Sequence, residues 1–428
     1  MRRQLLLWSL SAVSISTATL ADEGGGLFAD SRLGLLNRNY YYNNDNHSGG
    51  QDGREWGHAL LWQFNSGYTQ GTVGAGVDAH LYNLFKFDSG RGRNHTQMLV
   101  PDGSGRQDTS SSAGGALKFR ASETEVKYGD LRPYNPVFAI ADPRLMPATA
   151  KGIELTSRDI ERLYLEAGHF TSAKDYNRTH RDGGFYAAYA RVEGGDVTYL
   201  GGQYEVNEKL KLGVYASKYT NLWRQQYLSL SHTIPLAEAQ AILIDLNYYR
   251  SRNQGRALLG EIDIDAGSVA LGYRRGIHTL SLGYQKIVGD EPLDYLGLSG
   301  GGYQDSIFLG NASQYADFNG PNEHSWRLQY DATLAPLGLP SARLSIRHVR
   351  GSGIDGSKTA PDSAYFGWYG SNEKHNTTDL DVSYVVESGF AKNLKARVRH
   401  AHHRMTSGYS DADVDRFRIV LEYPWSIL

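Results

Sequence analysis

Two stretches near the end of the chain set cations at a spacing that could handle an anion. Lys395, Arg397 and Arg399 alternate with Leu394, Ala396 and Val398, and Arg416, Arg418 and Glu422 alternate with Phe417, Ile419, Leu421 and Tyr423. Arg343 and Arg347 stand in the same way among Leu344 and Ile346. A period of two sends alternate side chains of a strand to opposite faces. A guanidinium stays charged and grips a carboxylate with two parallel donors. A column of such groups would pass an anion from fork to fork along a wet wall. The plainer alternative is that these charges only keep that wall hydrated.

The strands that carry these residues repeat along the whole chain. Trp326, Leu328 and Tyr330 oppose Arg327, Gln329 and Asp331, and Leu380, Val382 and Tyr384 oppose Asp379, Asp381 and Ser383. Earlier segments pair around short turns: Arg54–Phe64 with Thr69–Phe85 through Asn65-Ser66-Gly67, Ala116–Ala121 with Glu123–Gly129, Trp223–Ile234 with Ala241–Arg250 near Pro235. Long polar loops alternate with these turns. The pattern predicts an all-β transmembrane antiparallel barrel of about 18 strands, with apolar faces toward lipid and polar faces toward a water-filled lumen. In a closed barrel the first strand, Phe28–Asn43, lies against the last. Arg38 then joins the basic wall, with Asp379 and Asp381 near enough to balance part of it.

Composition agrees. The 428 residues include 49 Gly and 29 Tyr but no Cys and only 4 Met, a bias toward β-structure, tight turns and aromatic girdles. A net charge of −2 argues against a general nucleic-acid binder, and mean hydropathy is −0.47. Past the N-terminus no apolar run is long enough for a membrane-crossing helix. Residues 1–21 read as a signal peptide: basic Arg2 and Arg3, an apolar core from Leu5 to Val13, and a small-residue cleavage site at Thr19-Leu20-Ala21. The barrel is expected to occupy 22–428 with no plug before it, which discounts an energised receptor.

Two loops stand out. Residues 131–152 contain Pro133, Pro136, Pro143 and Pro147, which forbid a regular strand, together with Val137, Phe138 and Ile140, which need cover. The loop is expected to fold inward and narrow the pore, presenting Tyr134, Asn135, Pro136, Asp142 and Arg144. Residues 289–322 offer Asp290, Asp305, Ser306, Ser313 and Asp317, placed across from the basic wall so as to give a transverse field that orients zwitterions. Residues 171–195 are read as loop, because a strand at Phe185–Arg191 would make the count odd.

Catalytic and metal readings are weaker. The run Asp411-Ala412-Asp413-Val414-Asp415 lacks EF-hand spacing, and His400, His402 and His403 read as a solvated strand margin. No nucleophile elbow, phosphate loop or zinc-protease motif occurs. An outer-membrane hydrolase is the main enzyme alternative, and His232 beside Ser229 and Ser231 is the sort of pair it would use. No enzyme activity, cofactor or metal is expected.

The chain resembles the OprD-type family of substrate-specific outer-membrane channels. The resemblance rests on Arg38-Asn39-Tyr40-Tyr41, Glu55-Trp56-Gly57, Gly129-Asp130, Pro136-Val137, Asp142-Pro143-Arg144-Leu145-Met146-Pro147, Asp317-Phe318-Asn319, Glu323-His324-Ser325-Trp326 and Glu422-Tyr423-Pro424. It implies an eighteen-stranded barrel, monomeric, with an infolded third loop and a seventh loop completing the constriction. By position Arg38, Arg347, Arg397, Arg399, Arg416 and Arg418 look like its basic ladder, Tyr134–Arg144 like its eyelet, and Asp290 and Asp305 like acidic seventh-loop residues. Met146 and Ala148 depart from the leucine and glutamine usual there. The implied function is passive diffusion of small carboxylate-bearing solutes, aromatic or tricarboxylic acids, with basic amino acids or peptides as the alternative. Implied surroundings are outer-membrane lipid and lipopolysaccharide, after delivery by the barrel-assembly machinery.

Overall fold

The computed structural model describes residues 25–299, 301–304, 306–409 and 411–428, the side chains of 91 and 92 excepted. The leader assigned to residues 1–21 and Asp305 of the seventh loop lie outside the described residues. One antiparallel sheet of eighteen strands accounts for most of the described chain. Each strand pairs with its sequence neighbour, and the first, Arg32–Asn46, pairs with the last, Val414–Ser426, from Gly34↔Ser426 to Asn46↔Val414. The sheet is therefore closed, which leaves no unpaired edge in a bilayer where unsatisfied backbone groups are costly.

The period-two pattern sets the faces. Leu117 and Phe119 are 53% and 45% exposed on the outside, while Lys118 between them is buried. Val214, Leu228, Leu246, Leu282, Leu328 and Ile346 are likewise exposed large hydrophobics on outward positions. This outer apolar band is what lipid covers.

Strand ends differ from the pattern more than strand faces do. The first strand starts at Arg32 rather than Phe28, after a short helix at Gly26–Ala29. The third runs Gly74–Asn94, well past Phe85. Pro235 is not at a turn: it lies within Trp223–Ala237, paired with Ala241, and the chain reverses after a bulge that follows it. A bulge at the strand's end tolerates the missing N–H.

The loops at one end are short and those at the other long. The third loop spans 132–148, between strands Thr124–Leu131 and Thr149–Ser157, and the seventh spans 289–323. The segment at 175–196 adds no barrel strand. Its short strand Phe185–Ala187 pairs instead with Leu296–Leu298 of the seventh loop.

Candidate functional site

Arg416, Arg418, Arg399, Arg397 and Lys395 occupy inward positions on the last two strands. Arg399 and Arg418 are direct cross-strand partners, and Tyr42 of the first strand continues that row beside Arg418. Going down the strand Lys395–Met405, Arg399, Arg397 and Lys395 follow at every second residue, so the cations form a column along the wall. Like charges directly opposite repel, and the counter-charge is sparse. Asp381 takes Arg397 through Nε at 2.9 Å and approaches Arg399 at 3.1 Å. Glu422 lies 3.4 Å from Lys395 and 2.8 Å from Arg38. Arg347 is in register with Asp379, but its Nε donates to Gln329 Oε1 at 2.9 Å. Arg343 lies in register with Ser383.

Tyr42, which no motif in the sequence singles out, is the floor of this cluster. It is 1% exposed, and its ring carries the guanidiniums of Arg144, Arg416 and Arg418 at 5.0, 5.4 and 5.6 Å. A ring face partly neutralises cations that would otherwise repel.

Both long loops are clamped to this wall. Gln314 of the seventh loop donates its N–H to Asp379 at 2.9 Å and its Nε2 to the Leu380 carbonyl at 2.9 Å. In return it accepts from Arg416 at its carbonyl and from Arg418 at Oε1, each at 2.8 Å. Arg347 donates to the neighbouring Ala312 carbonyl. Ser313 thus sits beside the basic column, not across from it, where its hydroxyl serves the turn to Ala316. Asp290 lies at the root of the loop with Asn322, and Asp317 accepts from Tyr295 at 2.9 Å. No alternation marks Gln314 in sequence; the signal that could have found it is absent from local pattern.

The third loop crosses the interior. At one side Arg38 holds Asp142 through both terminal nitrogens, at 2.7 and 2.8 Å, and donates to the Arg144 carbonyl. Burial works against the Asp142 charge, but Arg38 and Arg132 outweigh it and hold the carboxyl below its usual range. Arg144 lies between the rings of Tyr42 and Tyr176 and donates to the Thr96 carbonyl at 3.1 Å. At the other side Tyr219 donates to the Val137 carbonyl at 2.7 Å, and Tyr249 to that of Pro136 at 2.8 Å. Asn135 turns the loop by accepting from the Val137 and Phe138 N–H groups, and donates to Glu166 at 3.2 Å. Phe138 is fully buried against Phe170, its ring centre 4.9 Å away. Tyr134 remains 41% exposed, against Phe308 of the seventh loop.

Across the ring from the basic strands, the inner face is acidic and phenolic. Glu154 accepts from Tyr199 at 2.7 Å, Glu166 from Tyr215 at 2.9 Å, and Asp245 from Ser231 at 3.1 Å. These carboxylates stand on strands that carry no run of like charges in sequence.

The remaining motifs have structural partners. His232 contacts the Lys209 carbonyl and neither serine, since Ser231 points to the other face and bonds Asp245. His403 is not a solvated margin: it is buried, 3.1 Å from His375, which is 2.7 Å from Glu323. Asp411, Asp413 and Asp415 are taken by Tyr315, the Met405 N–H, and Arg404 with His402.

A closed eighteen-stranded barrel with a lipid-facing exterior and a charged interior crossed by a loop defines a membrane channel. The model of the outer membrane porin, OprD family, matches residues 25–427. Porin D of Pseudomonas aeruginosa is 41% identical over 99% of this chain and 100% of its own length. Porin-like protein GalP of Pseudomonas putida is 28% identical, over 97% of this chain and 96% of its own. Among solved structures, P. aeruginosa OprD superposes with a TM-score of 0.84 at 40% identity, covering 95% of this chain and 98% of its own. P. aeruginosa OpdK with vanillate gives 0.83 at 30%, covering 94% and 100%. The chain belongs to the OprD family of outer-membrane porins, and is a channel of the outer membrane rather than an enzyme.

Proposed function

We propose that this porin admits small carboxylate-bearing solutes by diffusion along the column Arg416, Arg418, Arg399, Arg397 and Lys395. The observation that carries the reading is the pairing of Arg399 directly opposite Arg418, with Asp381 as the near carboxylate on that row. A surplus of guanidiniums in one wall is relieved each time a passing carboxylate is gripped, and the grip transfers to the next fork without full desolvation. The third and seventh loops, clamped to this wall, narrow the path so that the solute meets it. Vanillate, an aromatic carboxylate, accompanies the related OpdK in its structure, which supports an aromatic acid as the first class to try. The working unit is a single barrel, seated in lipid and lipopolysaccharide and delivered there by the barrel-assembly machinery.

A second reading has its own observation. Glu154 and Asp245 stand on inner strands away from the column, Glu154 taking Tyr199 and Asp245 taking Ser231, and a field between opposite walls would orient zwitterions. Basic amino acids would use both walls. Liposome swelling with benzoate, citrate and arginine separates the two: benzoate entering fastest supports the carboxylate path, whereas arginine outpacing both acids replaces it with the two-wall path.

A further inference from the structure

The outward face of the barrel, which the transport path does not use, carries an unexpected row of cations. Lys218 ends the strand Leu210–Tyr219, Arg224 begins Trp223–Ala237, and Arg250 and Arg252 lie near the end of Gln240–Asn253. Lys218 and Arg224 are direct cross-strand partners, and Arg224 is the partner of Arg252. Like charges so placed repel. The two carboxylates at hand, Asp263 and Asp265, are held by Arg252 at 2.7 and 2.9 Å. That leaves Lys218 and Arg224 exposed and, among the described residues, without an ion pair, while exposed Arg250 has opposite it only Asp265, which Arg252 already holds.

Their height on the wall narrows what could meet them. The turn 220–222 joins the first two of these strands at the long-loop end, which in such barrels is extracellular. A few residues lower on the same outward face, Val214, Leu228 and Leu246 are 59%, 49% and 38% exposed in the apolar band. The cations therefore lie where hydrocarbon gives way to headgroups, and basic side chains at that level reach anionic headgroups.

We propose that Lys218, Arg224 and Arg250 form a docking site for the phosphorylated headgroup of an outer-leaflet lipid, the lipid A of lipopolysaccharide. The phosphate supplies counter-charge beyond Asp263 and Asp265, which Arg252 already holds, while the acyl chains lie against the apolar band beneath. The site is independent of the solute path and of which solute passes.

The test is native mass spectrometry of the folded porin in neutral detergent with bis-phosphorylated lipid A and with its dephosphorylated form. The wild type is expected to retain the phosphorylated lipid selectively. The K218Q/R224Q/R250Q variant is expected to weaken that retention about 100-fold, on the general scale for basic side chains at an anionic membrane surface. It should fold normally, because it removes neighbours that repel. A control K209Q/R275Q variant at the opposite end should retain lipid A as the wild type does. Equal retention by wild type and triple variant, or no preference of the wild type for the phosphorylated lipid, overturns the proposal.

Discussion

Arg38 shows how one side chain can belong to a basic wall and yet do something other than grip solute. It is 6% exposed and bound by Asp142 and Glu422, so its donors are already spent on the protein. Breaking a buried ion pair by deleting one partner leaves the other charge uncompensated, at about 3–5 kcal/mol. Arg38→Ala is therefore expected to lower the unfolding midpoint of the purified barrel and to free the third loop, read as larger and noisier single-channel conductance. Arg38→Lys should rescue little, because an ammonium cannot span both Asp142 oxygens as the planar fork does. Conductance and stability left unchanged by Arg38→Ala would remove it from the loop's anchorage. Arg399 and Arg418 differ in their partners: Arg399 approaches Asp381, and Arg418, itself only 4% exposed, donates to Gln314 rather than to a carboxylate.

At the scale of elements, Gln314 is the residue that ties the seventh loop to the basic strands by both backbone and side chain. Gln314 makes contacts to Asp379, Leu380, Arg416 and Arg418, at separations of 65 to 104 residues. Gln314→Ala keeps the backbone bonds, removes both side-chain bonds, and is expected to cost about 1–3 kcal/mol of loop attachment. Frequent brief openings in single-channel records at constant barrel stability are the expected result; a quiet channel like the wild type would show that the loop is held elsewhere. These separations also explain what the sequence could tell. Alternation alone puts Arg397, Arg399, Arg416 and Arg418 on the polar face of their strands, because parity is local. Pro133, Pro136, Val137 and Phe138, whose types suit neither a strand nor a wet surface, mark 131–152 as a segment that needs cover. The clamps carry no such mark, since Gln314, Tyr42 and the Arg38–Asp142 pair become neighbours only when the barrel closes. Strand ends such as Asn94 were missed because pairing beyond the bilayer needs no apolar alternation.

As a whole molecule, the barrel concentrates guanidiniums on the strands that meet at the closure, with Asp381 and Glu422 as counter-charges among them. Such an arrangement acts on a solute before contact, and its reach shrinks as salt screens it, to about 10 Å at 0.1 M ionic strength. On the proposed path the column itself, and not the loops alone, engages the carboxylate. The most direct measurement is planar-bilayer recording of wild type and the R397A/R399A variant with benzoate titrated at low and high salt. Charge-assisted hydrogen bonds contribute about 1.5–3 kcal/mol each, so benzoate's effect on the current should weaken by at least about tenfold in the variant, and in the wild type should decline with salt. Benzoate acting equally on both proteins at every salt concentration would contradict the account.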